Sequence, residues 1–152
     1  MKIKILAFLL LISLMAIPVH AATNTTSKML IDIMVNGHYI KSDTRPFLST
    51  DTTYVPIRFV SEALGADEVS WDANNRAAIV KDNGTEIVLP IGKHYALVNG
   101  QYMKLTHGIQ LINDRTFVPV RFIAENLGAT VTWNNQYFIV NINKPSIEVP
   151  TS

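Results

Sequence analysis

The segment around which this chain is organised reads Thr53-Tyr54-Val55-Pro56-Ile57-Arg58-Phe59-Val60-Ser61-Glu62-Ala63-Leu64-Gly65-Ala66. A second copy begins 63 residues later and reads Thr116-Phe117-Val118-Pro119-Val120-Arg121-Phe122-Ile123-Ala124-Glu125-Asn126-Leu127-Gly128-Ala129. The flanks repeat as well: Asn36-Gly37 and Asn99-Gly100 precede the copies, and Trp71 and Trp133 follow them. The sequence therefore predicts an internal duplication of about 63 residues.

Each copy carries the signals of a short strand followed by a short helix. Pro56 and Pro119 stand where the first helical residue belongs, because the fixed φ of proline suits a helix start. Gly65 and Gly128 follow the helix and can adopt the left-handed conformation that ends many helices. A helix of about eight residues is not stable alone in water. We therefore expect a sheet to cover its apolar face.

The two helices are predicted to be amphipathic, with one apolar and one polar face. The apolar face of the first consists of Ile57, Val60 and Leu64, widened by Phe59 and Ala63. The polar faces consist of Arg58, Ser61 and Glu62 in the first copy and Arg121, Ala124 and Glu125 in the second.

Strands are predicted on both sides of each helix. Asn36-Gly37 and Asn83-Gly84 indicate hairpins, because a type I′ turn needs φ > 0 at both central residues. Residues 43–51 are predicted to form a loop, and the strands that return after the tryptophans are predicted at 77–80 and 137–142. The fold class is therefore α+β, with antiparallel sheets packed on short helices. We expect the halves to share one core; two independent domains are the alternative.

The N-terminal residues have the organisation of a secretory signal peptide. A basic start, an apolar run and small residues ending at Ala21 predict cleavage after residue 21 or 22. The apolar run is shorter than the roughly 20 residues of a membrane-spanning helix. The predicted order is a signal peptide (1–21), a flexible spacer (22–28), a folded domain (29–143) with repeats at 29–81 and 93–143, and a tail (144–152). We expect a secreted, extracytoplasmic protein with no membrane span after cleavage.

The charge of the chain bears on its partners, and its cysteine content bears on how the domain is stabilised. The chain has 13 basic and 12 acidic residues, and removing Lys2 and Lys4 changes its formal charge from +1 to −1. Such a chain lacks the positive surface that binding to nucleic acid requires. It has no cysteine, so an exported domain must be held together by packing alone.

The repeated motif resembles the copper amine oxidase N-terminal (stalk) domain family. The resemblance rests on the Val-Asn-Gly turns, the acidic residues Asp51 and Asp114, the repeated segment itself and Val-Ser-Trp-Asp at 69–72. It covers about residues 29–143. It implies an antiparallel sheet wrapped around helix, and membership of a group of largely exported bacterial envelope proteins. It implies no catalytic residues, because the stalk of the amine oxidases carries neither the copper nor the quinone.

The residues agree with a module that lacks amine oxidase chemistry. Copper binding needs clustered histidines, whereas His38, His94 and His107 are isolated in the sequence. The Asn-Tyr-Asp/Glu setting of the quinone precursor does not occur. We predict no catalytic, cofactor-binding or metal-binding residues. Loop acids at Asp67, Glu68 and Asp72, with Asp82 nearby, match no calcium-loop spacing.

Four residues are candidates for a binding surface. Trp71 and Trp133 could stack on a carbohydrate, although paired tryptophans in a repeated fold are more often packing residues. Arg58 and Arg121 could form a repeated ligand site, although pairing with Glu62 and Glu125, or holding the preceding loop through Asp51 or Asp114, explains them without a ligand.

We therefore predict an exported, non-catalytic stalk-type module at the bacterial cell envelope, acting as a spacer or a binding surface. Its partner is an unknown envelope protein or a wall polysaccharide. The alternatives are a small cell-wall-polymer hydrolase, which needs carboxylates or a His–Ser pair to converge in a cleft, and an accessory subunit of a larger extracellular enzyme.

Overall fold

The computed structural model describes residues 30–146. The predicted signal peptide, the predicted spacer and residues 147–152 of the predicted tail lie outside the described residues. The strands are β1 Asp32–Val35, β2 His38–Tyr39, β3 Phe47–Ser49, β4 Thr52–Pro56, β5 Glu68–Asp72, β6 Ala77–Asp82, β7 Thr85–Pro90, β8 Tyr95–Val98, β9 Gln101–Lys104, β10 Gln110–Ile112, β11 Arg115–Pro119, β12 Thr130–Asn134 and β13 Ile139–Asn143. The helices are α1 Ile57–Ala63 and α2 Val120–Asn126. The predicted α+β class is confirmed.

The strands form three sheets, and every sheet combines strands from both copies of the repeat. The strand orders are β12-β13-β1-β2, β10-β11-β4-β3 and β5-β6-β7-β8-β9. Apolar residues from both copies pack into one buried cluster. Since burial of apolar surface is the main stabilising contribution to a fold, neither copy has a core of its own. The expectation of a shared core is met within the described residues.

The sheet β10-β11-β4-β3, called the central sheet below, places equivalent residues of the two copies opposite each other. Strand β4 pairs with β11 in antiparallel register, and Val55 faces Val118, its equivalent 63 residues later. The neighbouring pair of Tyr54 with Pro119 is mirrored by that of Pro56 with Phe117. This register requires a local two-fold axis through the Val55–Val118 pair. The copies thus form equivalent elements, while their origin in a duplication stays a prediction.

The outer sheets are built alike, with one difference. In the five-stranded sheet, β7 lies between the hairpin β5–β6 of the first copy and the hairpin β8–β9 of the second. In the four-stranded sheet, β12–β13 of the second copy meets β1–β2 of the first without an intervening strand. Strands β1 and β13 consequently pair directly and in parallel, from Asp32 opposite Ile139 to Val35 opposite Ile142.

Both helices begin and end in the same way. Pro56 and Pro119 are the N-cap residues, with extended ψ angles of 118° and 123°, so each helix begins one residue later than predicted. Gly65 and Gly128 adopt φ angles of 78° and 77°. The amides that follow each helix donate to carbonyls of its last turn, as in a Schellman motif. The predicted glycine stops are confirmed.

The buried faces of the helices differ from the prediction. Ser61 and Ala124, assigned to the polar faces, are fully buried, whereas Ala63, assigned to the apolar face, is exposed. The reason is that each helix contacts the other helix in addition to the sheets. A second side of each helix is therefore buried. Within residues 30–146 the Ser61 hydroxyl has no hydrogen-bond partner.

Two connections also differ from the prediction. The predicted loop 43–51 contains strand β3, which reaches β4 through Thr50 and Asp51 at φ angles of 45° and 60°. These are type I′ values without glycine. The second returning strand begins at Ile139 and not at Tyr137, because Phe138 has a φ of 54° and belongs to the turn. The turns predicted at Asn36-Gly37 and Asn83-Gly84 are confirmed by positive φ angles.

A largely buried ion pair joins the two copies near their C-terminal ends. The Nζ atom of Lys144 lies 2.5 Å from an Asp82 carboxylate oxygen and donates to the Leu64 carbonyl at 3.0 Å. The side chains of Lys144 and Asp82 are 15% and 5% exposed. The residue at which the predicted tail begins is therefore held by the folded domain.

Candidate functional site

The four candidate binding residues lie in two clefts, one tryptophan and one arginine in each. Trp133 and Arg121 line the larger cleft, which has a volume of about 760 Å³. Trp71 and Arg58 line the smaller cleft, of about 460 Å³. Both volumes fall within the range of small-molecule sites, roughly 300–1,000 Å³. The sequence singled out these residues but could not show that they pair in this way.

The two clefts are equivalent by the repeat. Every residue that lines the smaller cleft has its counterpart, 62 or 63 positions away, in the lining of the larger cleft. In the larger cleft the shared positions are Leu48, Asp51, Thr52, Thr53, Pro119, Val120, Arg121, Phe122, Val131, Thr132, Trp133 and Val140. The local two-fold axis of the central sheet therefore relates the clefts as well as the strands.

Each cleft is built from both copies of the repeat. In the larger cleft the second copy provides α2 and β12, and the first copy provides Leu48 and Asp51 from the β3–β4 hairpin. In the smaller cleft, Leu111 and Asp114 of the β10–β11 hairpin meet α1 and β5. Sequence reasoning missed Leu48 and Leu111, because the signal that places them there is the pairing of β4 with β11.

The arginines of the clefts are paired along their own helices. Arg121 donates to Glu125 at 3.1 Å, and Arg58 donates to Glu62 at 3.5 Å. All four side chains are more than half exposed, so each pair contributes little to stability. In the described part of the chain, neither arginine forms a hydrogen bond or ion pair with Asp51 or Asp114.

Trp133 is held in place by two neighbours. Its Nε1 donates to the Asn135 side chain at 3.4 Å, and the Phe138 ring lies 6.2 Å away at an angle of 57°. Phe138 adopts the left-handed conformation, as does Arg76 at the equivalent position of the other copy. The indole remains 40% exposed. It offers a fixed apolar surface at the mouth of the larger cleft.

An ion pair distinguishes the smaller cleft from the larger. Arg115 lines the smaller cleft and binds Asp43 through Nε and Nη2, the closest contact being 2.5 Å. The hydrogen bond from Arg115 lowers the pKa of Asp43 below its ordinary value. The equivalent positions of the larger cleft are Thr52 and Thr106, and both line it. The side chains at these two positions are thus shorter in the larger cleft than Arg115 and Asp43.

The acidic residues considered for calcium each have a partner in the protein. Asp67 accepts from the Asn83 amide at 2.9 Å, Glu68 pairs with Lys81 at 3.1 Å, and Asp82 pairs with Lys144. Asp72 accepts from the turn that follows it, and the Asn75 side chain lowers the pKa of Asp72. Among residues 30–146 no three histidine, cysteine or acidic residues converge in a metal-binding group.

The tyrosines lie apart from the two clefts. Tyr95 and Tyr102 stack on each other across β8 and β9, with ring centroids 4.9 Å apart. Tyr39 and Tyr137 are exposed. The structure brings none of these four into either cleft lining as described.

The helices of the described region are also too short to cross a membrane.

Comparison with known proteins agrees with the repeated motif. The family described as the copper amine oxidase N-terminal domain matches residues 34–142. A Brevibacillus choshinensis protein named "Protease inhibitor" is 32% identical over 111 residues, which are 73% of this chain and 33% of that protein. The chain thus spans about a third of this relative's length. Because the family match takes in both copies of the repeat, the chain belongs to the copper amine oxidase N-terminal domain family.

Proposed function

We propose that this protein is an exported, non-catalytic binding module of the bacterial cell envelope that attaches to a wall polymer through its larger cleft. The observation that carries the proposal is the fixed, exposed indole of Trp133 at the mouth of a cleft of about 760 Å³. An open cleft with an aromatic surface suits a polymer that passes through, whereas small-molecule sites bury most of their ligand.

The polar groups of the cleft favour binding over catalysis. Asp51 and Glu125 are the two carboxylates that line it, so they are the pair that the hydrolase alternative would use. Glu125 is half exposed and bonded to Arg121. A general acid for glycoside cleavage needs the opposite environment, because burial away from cations is what raises a carboxyl pKa. The signal peptide predicted at 1–21 supports a location outside the cytoplasm.

The proposal is tested by a pull-down of the purified protein on insoluble bacterial cell-wall material, half of it stripped of wall proteins. We expect equal retention on stripped and unstripped wall. Retention on unstripped wall alone would assign the cleft to an envelope protein, and retention on neither would overturn the proposal. Soluble reducing sugar, measured in the supernatant, should stay at the level of a protein-free control; its release would favour the hydrolase.

A second candidate is the binding of an extracellular protease. It rests on the relative named "Protease inhibitor", which shares 32% identity over 111 residues with this chain. That match covers 33% of the relative, so inhibition by this chain needs its own assay. Trypsin-like and subtilisin-like proteases would be assayed on a peptide substrate with a tenfold excess of the protein. Unchanged rates for both classes would remove this candidate.

A further inference from the structure

We propose that the larger cleft binds a segment of an N-acetylated amino-sugar glycan and that the Asp43–Arg115 ion pair keeps the smaller cleft from binding a second segment. The inference rests on the proposed function and deepens it. It names the ligand class, and it assigns different roles to two clefts that the repeat makes equivalent.

The lining of the larger cleft fits the two faces of a pyranose ring. The exposed indole of Trp133 can pack against the apolar C–H face of a sugar, and Phe138 supports the indole. Hydroxyl and amide side chains, which both donate and accept hydrogen bonds, line the same cleft. They are Thr52, Thr53, Thr106, Thr132 and Asn135. Leu48 and Phe122 add an apolar wall that suits an acetamido methyl group.

The charges of the larger cleft favour a ligand without net charge. Besides His107, the ionisable groups of the lining are two basic and two acidic side chains: Lys104 and Arg121 balance Asp51 and Glu125, and Arg121 is already bonded to Glu125. An anionic polymer would need an excess of unpaired cations, because ionic attraction dominates such binding. An N-acetylated sugar is neutral and hydrogen-bonds through its hydroxyl and amide groups. It therefore matches the cleft in charge as well as in shape.

The smaller cleft has an exposed indole, as the larger one does, but a smaller volume. Trp71 is 46% exposed, slightly more than Trp133, so the stacking surface is present. Arg115, held by Asp43, lies in the lining at the position where the larger cleft has Thr52. The smaller cleft has a volume of about 460 Å³ against 760 Å³, and the lining of the larger cleft also extends over residues 104–107. We infer that this ion pair, and not the tryptophan, decides which cleft accepts a sugar chain.

The chain provides its own spectroscopic probes, because its two tryptophans are Trp71 and Trp133. Their indole N–H groups give one NMR signal each, assigned with the variants Trp71→Ala and Trp133→Ala. The purified protein would be titrated with the soluble tetramer of N-acetylglucosamine. We expect the Trp133 signal to shift saturably and the Trp71 signal to stay in place. The affinity should fall about tenfold or more in Trp133→Ala and change less than twofold in Trp71→Ala.

Exchanging residues between equivalent positions tests the role of the ion pair. The double variant Asp43→Thr with Arg115→Thr gives the smaller cleft the residues of the larger one, and both indole signals should then shift. The reciprocal variant, Thr52→Arg with Thr106→Asp, should leave neither signal responsive. Thermal unfolding of each variant shows whether it is folded. If the opened variant is folded and its Trp71 signal still does not respond, the role of the ion pair is overturned.

The titration separates this inference from the proposed function. If the tetramer shifts neither signal while stripped wall still retains the protein, the amino-sugar assignment is wrong and wall binding stands. Strand β12 is also the edge of its sheet, so an extended peptide could pair with it. A Trp133 response to a wall-derived peptide, and not to the tetramer, would overturn the glycan assignment in favour of that mode. If stripped wall and tetramer both fail, both proposals fall.

Discussion

Asp82 and Lys144 occupy equivalent positions in the two copies of the repeat, 62 residues apart, and bind each other. Equivalent residues can meet only beside the local two-fold axis. The Val55–Val118 pair marks the same axis in the central sheet. At the Val55–Val118 pair the two copies contribute identical apolar residues, and at the Asp82–Lys144 pair they contribute opposite charges. The two copies therefore differ at a position where identical charges would repel each other.

The first prediction concerns this ion pair. Replacing Lys144 with methionine leaves the Asp82 carboxylate buried without its cation, so we expect the free energy of unfolding to fall by about 3–5 kcal/mol. The matched control is Lys81→Met, which removes the exposed pair with Glu68 and should cost less than about 1 kcal/mol. Urea unfolding measures both variants. Similar losses in the two would show that the Asp82–Lys144 pair is not effectively buried.

The second prediction concerns the apolar faces of the helices. Leu64 and Leu127 are buried, so replacing either with alanine should lower the free energy of unfolding by about 2–5 kcal/mol. Leu111, which is 42% exposed in the smaller cleft, is the control and should cost far less. Because the two copies share one core, each variant should unfold in a single transition. Two separate transitions would mean that the copies unfold independently.

The third prediction concerns the position where one copy has Ser61 and the other Ala124. The buried Ser61 hydroxyl has no partner among the described residues, so Ser61→Ala should leave stability unchanged or raise it by about 1 kcal/mol. Ala124→Ser buries a hydroxyl in the other helix and should cost about 1–3 kcal/mol. Chemical denaturation measures both. A clear loss in Ser61→Ala would show that the hydroxyl is hydrogen-bonded after all.

The fourth prediction concerns pH. Hydrogen bonding to Arg115 lowers the pKa of Asp43 in the folded protein, so the unfolded chain takes up this proton at a higher pH than the folded protein does. The contribution of the pair is therefore fully present above the unfolded pKa of Asp43 and is lost as pH falls through the folded pKa. Stability should fall on acidification, and less steeply in Asp43→Asn. Parallel pH profiles of the two proteins, from urea unfolding between pH 7 and pH 3, would contradict the assignment.

Local chemistry explains why much of the fold could be predicted. The glycine stops, the Asn-Gly turns and the amphipathic helices depend on backbone conformations that neighbouring residues dictate. The prediction was wrong where contacts over long sequence distances decide. Ser61 has the composition of a polar face, but the packing of α1 against α2 buries it. The turn at Thr50 and Asp51 was missed for a local reason, because it has type I′ φ angles without the glycine that usually indicates such a turn.

The candidate site, too, could be predicted from the sequence only in part. Repetition in the sequence pointed to Trp71, Trp133, Arg58 and Arg121, and the structure places them in two equivalent clefts. What the sequence could not show is that each cleft is completed by a hairpin of the other copy. That arrangement depends on the pairing of β4 with β11, and no periodicity within either copy specifies it.

The parallel pairing of β1 with β13 has a mechanical consequence. A force that pulls the chain apart at its two ends acts on the N-terminal end of β1 and the C-terminal end of β13. Because these strands are adjacent and parallel, they are sheared past each other and their hydrogen bonds must break together, not one after another. The Asn36 side chain, which accepts from the Lys144 amide at 2.8 Å, extends this bonded zone. We therefore expect the described domain to resist tension applied at its two ends, a property that the proposed envelope module would need.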